Sequence, residues 1–238
     1  MTAKKQKLRI LVIDIGGSNV KLKVTGVAKR RKFPSGSKLT ARQMASEVKK
    51  QTTDWEFDVI AIGFPGPVLH GQPTVNPKNL GPGWMGFDFE KALGKPVKII
   101  NDAAMQALGG YKGGRMLFIG LGTGLGSALV LDDVLVPLEL GELSHPQGET
   151  IEDVLGKRSL KRIGRVEWEK AVHAAVKNLK KAFVADYVLL GGGNAKKLVK
   201  LPDGARRGAN RDAFAGGTRL WESEGPLPKV RKHTLVIA

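Results

Sequence analysis

The 238-residue sequence contains no cysteine, few aromatic residues and no long hydrophobic run. Without thiols it cannot form disulfides, iron–sulfur clusters or the zinc sites that need thiolate ligands. No apolar segment approaches the roughly 18–20 residues of a membrane span, so no membrane partner is expected. The segment after Met1 lacks the pattern of a secretory signal, and we therefore expect a cytoplasmic protein.

Acidic residues are also scarce, because 39 Lys and Arg stand against 22 Asp and Glu, which gives a formal net charge of +17. The excess is uneven: residues 1–50 hold 14 bases and 2 acids, whereas residues 51–150 hold 6 bases and 11 acids. A charge of this size favours a polyanionic partner. Aromatic residues make up only 6% of the chain, and no zinc-finger or RNA-binding motif is present, so nucleic acid is disfavoured.

Two segments of the chain share one plan. Residues 8–24 and 116–131 each contain an apolar strand, a glycine turn and a second apolar strand, which is the pattern of a β-hairpin. An offset of 106 residues, close to half the chain, superimposes their glycines. Helix and strand signals alternate between and after these hairpins, as is typical of α/β layers. We predict two similar α/β domains, residues 1–103 and 104–238.

Local signals predict the remaining elements. Thr40 and Gln43 form a capping-box pattern, which starts a helix that we expect to continue to about Gln51. The other predicted elements are strands at residues 58–64, 97–100, 187–190 and 234–238, and helices at residues 152–163 and 168–183.

Three glycine-rich turns follow apolar strands, where backbone N–H groups without a neighbouring Cβ can approach a phosphate. The first turn adds a carboxylate, Asp14, that could hold hydrated Mg²⁺, and a hydroxyl, Ser18, that could contact a phosphoryl oxygen. A single glycine-rich turn usually has only a structural role, so the prediction of phosphate binding depends on the occurrence of all three turns. The predicted residues are Asp14, Gly16, Gly17, Ser18, Asn19 and Lys21, then Gly122, Thr123 and Gly124, and finally Gly191, Gly192 and Gly193.

A fourth candidate is the pair Asn101 and Asp102, which follows a predicted strand and opens a helical run. Asp is a favoured helix N-cap, so a purely structural role would explain Asp102. Its position also counts, because open α/β sheets bind ligands in the crevice beyond the carboxyl ends of their strands. Asp102 is therefore the candidate catalytic residue.

In chain order, six motifs resemble those of the ROK family of sugar kinases. They are DIGGSNVK (residues 14–21), NLGPGW (79–84), NDA (101–103), GTGLG (122–126), GELSH (141–145) and LLGGGN (189–194). The resemblance covers about residues 8–200 and implies an actin-like, ribonuclease H-like ATPase fold, with two similar α/β domains and a cleft between them. Within the family, the sequence is most similar to glucokinases that use polyphosphate.

The resemblance implies a kinase that phosphorylates the 6-hydroxyl of glucose, with Mg²⁺ as cofactor and inorganic polyphosphate or ATP as donor. It makes Asp102 the catalytic base and Asp14 the residue that holds Mg²⁺ through a water molecule. The residues that match sugar contacts are Asn79, Asn101, Glu142 and His145. A homodimer is expected. Many relatives hold zinc in a cysteine-rich loop that this chain lacks, so no zinc is expected.

Departures from the family pattern lie around the fifth motif. Ser144 stands where the family usually has glycine, and the segment LELG before ELSH resembles a short insertion. A further sugar-binding acid is expected downstream; it could be Glu149, Glu152 or neither, and it is left unassigned.

Donor and function also remain open at this point. Basic residues recur at four-residue spacing from Lys157 to Arg165, which favours a groove for a polyphosphate chain. The alternatives are an ATP-only kinase for another hexose or N-acetylhexosamine, and a non-catalytic sugar-binding regulator. The regulator is disfavoured because Asp14 and Asp102 are present, and because a first strand that begins by Leu8 leaves no room for a preceding DNA-binding segment.

Overall fold

The computed structural model describes residues 8–132, 134–144, 148–209 and 211–222. The strands are β1 Ile10–Ile15, β2 Asn19–Val24, β3 Arg31–Pro34, β4 Val59–Phe64, β5 Val68–Leu69, β6 Gln72–Pro73, β7 Val97–Asn101, β8 Met116–Leu121, β9 Leu125–Leu131, β10 Val134–Leu138, β11 Tyr187–Gly191 and β12 Ala205–Arg207. The helices are α1 Ala41–Gln51, α2 Phe89–Leu93, α3 Asp102–Gly110, α4 Ile151–Leu155, α5 Lys157–Ala182 and α6 Asp212–Arg219. The predicted strand at residues 234–238 and the predicted sugar contact His145 lie outside the described residues.

Two five-stranded sheets share one topology. Their strand orders are β3-β2-β1-β4-β7 and β10-β9-β8-β11-β12. In each sheet an antiparallel hairpin is followed by parallel strands, β1 with β4 and β8 with β11. The duplicated α/β architecture predicted from the 106-residue offset is confirmed, because β8 begins 106 residues after β1. The exact division between residues 103 and 104 stays a prediction.

Hydrophobic patterning explains why these strands form. All six residues of β1 are buried, since β1 is a central strand with helices on both faces of its sheet. In β2, Val20, Leu22 and Val24 are buried while Lys21 is exposed, which is the alternation of a strand with one wet face. The predicted capping box of α1 is present, with Thr40 and Gln43 bonded reciprocally.

Helices α3 and α6 cross between the sheets at backbone contact. A Cβ built on Gly216 would lie 1.8 Å from the carbonyl oxygen of Met105, and one on Gly109 would lie 1.8 Å from that of Asp212. Helix α6 also packs on β1, where Gly217 leaves space for Val12. The second half of the chain therefore contributes a helix to the sheet of the first half, and one central core joins both sheets.

The predicted helix at residues 152–163 is wrong in one respect, because it is divided at Gly156. That residue is extended, and its Cα packs so near the carbonyl oxygens of Glu152 and Thr123 that a Cβ would lie 2.7 and 3.2 Å from them. Helix α5 then continues past residue 163 and is interrupted at Gly164, whose φ of 77° is left-handed. No helix in the described ranges is long and apolar enough to cross a membrane.

We predict that Gly216→Ala destabilises the protein by about 3 kcal/mol, because the new Cβ would overlap the backbone of α3 and force the helices apart. Urea unfolding of both proteins measures this difference. Gly193→Ala is the matched control, since nothing lies within 4 Å of a Cβ there. Equal unfolding midpoints for all three proteins would contradict the tight crossing.

Candidate active site

A cleft of about 290 Å³ opens beyond the carboxyl ends of β1, β4, β7, β8 and β11, where the two sheets face each other. It collects the predicted residues Asn79, Asn101, Asp102 and Glu142 together with Gly17, Gly122, Thr123, Gly124 and Gly192. The other predicted residues belong to the same strands and turns without lining the cleft: Asp14, Gly16, Ser18, Asn19, Lys21, Gly191 and Gly193. The sequence motifs from both halves thus converge on one site.

Asp102 is the first residue of α3 but does not cap it. The cap is Asn101, whose side-chain oxygen accepts a hydrogen bond of 3.0 Å from the backbone N–H of Ala104. The side-chain amide of Asn101 also donates to the carbonyl oxygen of Gly66 at 3.2 Å, which links it to the loop after β4. The purely structural explanation of Asp102 as an N-cap is therefore wrong, and its carboxylate is not required for helix initiation.

The environment of Asp102 disfavours its charged form. Burial, and after it the negative charge of Asp14, raises the pKa of Asp102 from 3.8 to about 7, although the backbone N–H of Ala103 acts in the opposite direction. A smaller contribution comes from the charge of Glu139. A carboxylate with a pKa close to neutrality is suited to accept a proton at physiological pH.

The first glycine turn is held by its neighbours. The backbone N–H of Gly16 donates to the carbonyl oxygen of Asn19 at 3.0 Å. Ser35 binds the turn twice, since its hydroxyl donates to the carbonyl oxygen of Gly16 at 2.6 Å and its backbone N–H donates to that of Ser18 at 3.1 Å. Gly17 is exposed at the tip and faces Asn79 across the cleft entrance.

Asp14 is the residue that fits Mg²⁺. It is 6% exposed, and its Oδ2 accepts a 2.8 Å bond from Nζ of Lys21. No group of three or more His, Asp or Glu residues with metal-binding geometry occurs among the described residues. Mg²⁺ commonly uses one or two carboxylates and completes its shell with waters and substrate phosphates, so a single buried carboxylate beside the predicted phosphate-binding turns is a suitable donor set.

The second and third turns are joined to each other. The side-chain amide of Asn194 donates to the carbonyl oxygen of Gly122 at 2.8 Å. Gly192 has a φ of 79°, and a Cβ there would lie 2.4 Å from the carbonyl oxygen of Leu121. At Gly124 a Cβ would lie 2.4 Å from Oε2 of Glu152. Glycine is required at Gly192, whereas a side chain at Gly124 would have to displace the carboxylate of Glu152, and bare backbone faces the cleft at both positions.

Two acids that the sequence left unassigned line the cleft. Oε1 of Glu139 accepts a long hydrogen bond of 3.4 Å from the side-chain amide of Asn101, and burial together with the charges of nearby acids raises the pKa of Glu139. Glu152 accepts from the backbone N–H of Leu125 at 3.0 Å. Glu149 does not line the cleft and pairs with Arg162 at 3.0 Å. Of the two downstream acids considered from the sequence, Glu152 therefore lines the cleft and Glu149 does not.

Glu142 lies at the rim. Its side chain is 61% exposed and pairs at 2.8 Å with Lys78, which comes from the opposite half and is 77% exposed. Sequence comparison selected Glu142 because of its place before Leu143 and Ser144, and so passed over Glu139. The sequence signal that could have identified Glu139 is its location directly after the apolar segment at residues 134–138. Asp102 follows a strand in the same way.

Two like-folded α/β halves with a cleft between them define an actin-like fold, which the solved structures described below share. The ROK family model matches residues 10–145, more than half of the chain. The chain belongs to the ROK family. The relatives described next are sugar kinases, which are phosphotransferases with an alcohol acceptor.

Polyphosphate glucokinase from Mycobacterium tuberculosis (strain ATCC 25618 / H37Rv) is 25% identical over 209 residues, covering 79% of this chain and 78% of the relative. The crystal structure of inorganic polyphosphate/ATP-glucomannokinase from Arthrobacter sp. strain KM has a TM-score of 0.72 at 24% identity, over 89% and 97% of the two chains. A ROK family glucokinase from Streptomyces griseus, solved with glucose and AMPPNP, has a TM-score of 0.74 at 16% identity, over 89% and 98%.

The raised pKa of Asp102 predicts a pH-dependent stability. Between pH 3.8 and about 7 the unfolded chain loses this proton while the folded chain keeps it, so stability falls as pH rises and levels off above about 7. At pH 8, without ligands, Asp102→Asn should increase the free energy of unfolding by about 1–3 kcal/mol, and near pH 4 it should change little. Denaturant unfolding at both pH values measures this.

The control is Asp203→Asn, which removes an exposed carboxylate from a loop outside the cleft. A stabilisation by Asp102→Asn that is equal at pH 4 and pH 8 would contradict the proposed cause.

Proposed function

We propose that the chain is a cytoplasmic hexose kinase that transfers a phosphoryl group from inorganic polyphosphate or ATP to the 6-hydroxyl of glucose. The observation that carries this proposal is Asp102, a carboxylate with a pKa of about 7 that shares one cleft with the glycine turns of both halves. Membership of the ROK family supports the class of reaction. The homodimer implied by the family resemblance stays a prediction.

Asp102 serves as general base in this proposal. The sugar hydroxyl donates a hydrogen bond to the carboxylate, and its proton passes to Asp102 as the hydroxyl oxygen attacks the terminal phosphorus in line. The new P–O bond forms while the bond to the donor oxygen breaks, so ADP or a polyphosphate shortened by one unit leaves. Backbone N–H groups at Gly17 and Gly124 stabilise the charge on the phosphoryl oxygens. When bound at Asp14, Mg²⁺ would neutralise donor phosphate charge.

The sugar is held by amides and carboxylates on the other side of Asp102. Asn79, Asn101 and Glu139 supply the donors and acceptors that neighbouring hydroxyls need, and Glu152 lies beside the second glycine turn. Glu139 is exposed, but its contact with Asn101 supports a position beside the amide of Asn101 at the edge of the cleft. Glu142, which the family resemblance also assigns to the sugar, would contact it from the rim.

Helix α5 supports a polyphosphate donor. Its first backbone N–H, that of Lys157, donates to the carbonyl oxygen of Thr123 at 3.3 Å, so α5 starts at the second glycine turn. Exposed basic side chains then lead away from the cleft along its first turns: Lys157, Arg158, Lys161, Arg162 and Arg165. A phosphate chain with its end in the cleft could continue along this surface, and its affinity should fall steeply with salt.

The proposal is tested by incubating the purified protein with Mg²⁺ and a panel of hexoses and N-acetylhexosamines, with ATP and polyphosphate in parallel. We expect glucose 6-phosphate, and an Asp102→Asn variant that is about 10²–10⁴-fold slower in kcat, the usual contribution of a general base. The donor arms distinguish a polyphosphate enzyme from an ATP-only kinase, and the sugar arms distinguish glucose from other acceptors.

Sugar binding by calorimetry without any sugar phosphate would favour a non-catalytic regulator and overturn the kinase proposal. Full activity of Asp102→Asn would overturn only the assignment of the base. The fold of the variant is verified by circular dichroism.

The two acids after β10 should respond differently to neutralisation. Glu139→Gln should raise KM for the sugar by about tenfold or more, because it weakens charge-assisted hydrogen bonds inside the cleft. Glu142→Gln removes an exposed ion pair with Lys78 and should change KM less than about fivefold. Steady-state kinetics with the sugar varied measures both, and a larger effect at Glu142 would reverse the assignment.

A further inference from the structure

A second concave site, of about 980 Å³, lies at the opposite end of the sheets. Leu8 and Arg9, which precede β1, line it, whereas the catalytic turn follows the other end of β1. Helix α3 runs between the two sites, with Asp102 at its first residue and Gly109 and Gly110 against the second cavity. At 1.5 Å per residue that separation is about 12 Å, so the two cavities are distinct sites.

The lining of this basic cavity has a large excess of positive charge. It contains seven basic side chains, Arg9, Lys23, Lys112, Arg206, Arg207, Arg211 and Arg219, and one carboxylate, Asp212. Asp212 already accepts a hydrogen bond from the backbone N–H of Ala209 at 2.6 Å. Most of the positive charge in the cavity is therefore not balanced by its own lining.

Contacts of the basic groups leave their charge uncompensated. Arg219 donates to the carbonyl oxygens of Leu108 and Tyr111 at 2.7 and 3.2 Å, and carbonyl oxygens carry no net charge. Only Arg9 has a carboxylate partner, Glu56. In the described part of the chain, none of the other six forms an ion pair.

Arg206 is positioned by an aromatic ring. Its guanidinium lies 4.3 Å from the centroid of the Tyr187 ring, and the Tyr187 hydroxyl accepts a hydrogen bond from the backbone N–H of Lys112. A stacked guanidinium keeps its in-plane donors free for a phosphate and loses less conformational entropy when it binds one. The same stacking covers one face of the ring, which leaves it less suited to stack on a nucleic acid base.

We propose that this basic cavity binds a small anion with two or more phosphate groups, at a site separate from the donor in the catalytic cleft. Guanidinium groups recognise phosphate by paired hydrogen bonds, and cations on both halves of the chain match several phosphates better than one. The volume is within the range of small-ligand sites, about 300–1,000 Å³. The proposal does not depend on kinase activity, since it concerns binding at another place.

Isothermal titration calorimetry with sodium tripolyphosphate tests the proposal on the full chain at low salt, without sugar or Mg²⁺. Two classes of site are expected. The double variant Arg206→Gln, Arg211→Gln should weaken one class by about tenfold or more, because two guanidinium contacts are lost. The single variant Lys112→Gln, which changes an exposed residue, should weaken the same class if the double variant does not fold.

The matched control is Lys49→Gln, Lys50→Gln, which removes the same charge from an exposed end of α1 outside the cavity. Equal affinities in the wild type and the double variant, or an equal loss in the control, would overturn the proposal. Binding of a ten-nucleotide RNA to the same residues more tightly than tripolyphosphate would also overturn it, in favour of a nucleic acid partner. Sugar phosphorylation is not a readout of this test, so a failed kinase assay leaves its result interpretable.

Discussion

The backbone contact between α3 and α6 fixes the position of the two sheets relative to each other. Glycines at positions 109 and 216 let each helix pack directly against the other's carbonyl groups, and larger residues there would separate the halves. The central core between the sheets depends on this short distance. Asp102 starts α3, so the crossing also sets where its carboxylate lies relative to the turns of both halves. The packing of the two helices where they cross therefore also determines the geometry of the cleft.

The charge of the cleft is opposite in sign to the charge of the chain as a whole. The cleft is acidic, with Asp102, Glu139, Glu142 and Glu152 in its lining, whereas the chain as a whole is basic. Acids suit a polyhydroxylated acceptor, and the pKa of Asp102 is raised chiefly by burial and then by the negative charge of Asp14, with a smaller contribution from Glu139. In the proposed reaction an anionic donor approaches past like charges, which is the physical reason for the predicted roles of Lys21, the backbone N–H groups and a divalent cation.

Local signals in the sequence predicted the hairpins, the duplicated plan, the α1 cap and the cleft position of Asp102, because each depends on residues near one another in the chain. Contacts between distant segments were not predictable in this way. Gly109 and Gly216 cannot be distinguished from other helix glycines until the two helices are seen to cross, and the contact of Glu139 with Asn101 joins segments 38 residues apart. The division at Gly156 was missed for the same reason, since it depends on the approach of Thr123.

The sequence shows only how the net charge of +17 is distributed along the chain, whereas the structure separates it into surfaces of different shape. Along α5 the basic side chains project from a convex helix that starts at the second glycine turn, so a long chain could lie there without being enclosed. At the other end of the sheets the cations surround a concave space, which limits the size of the anion that they can contact together. Shape therefore decides which phosphate compound each basic surface can hold, although the charge on both is of the same kind.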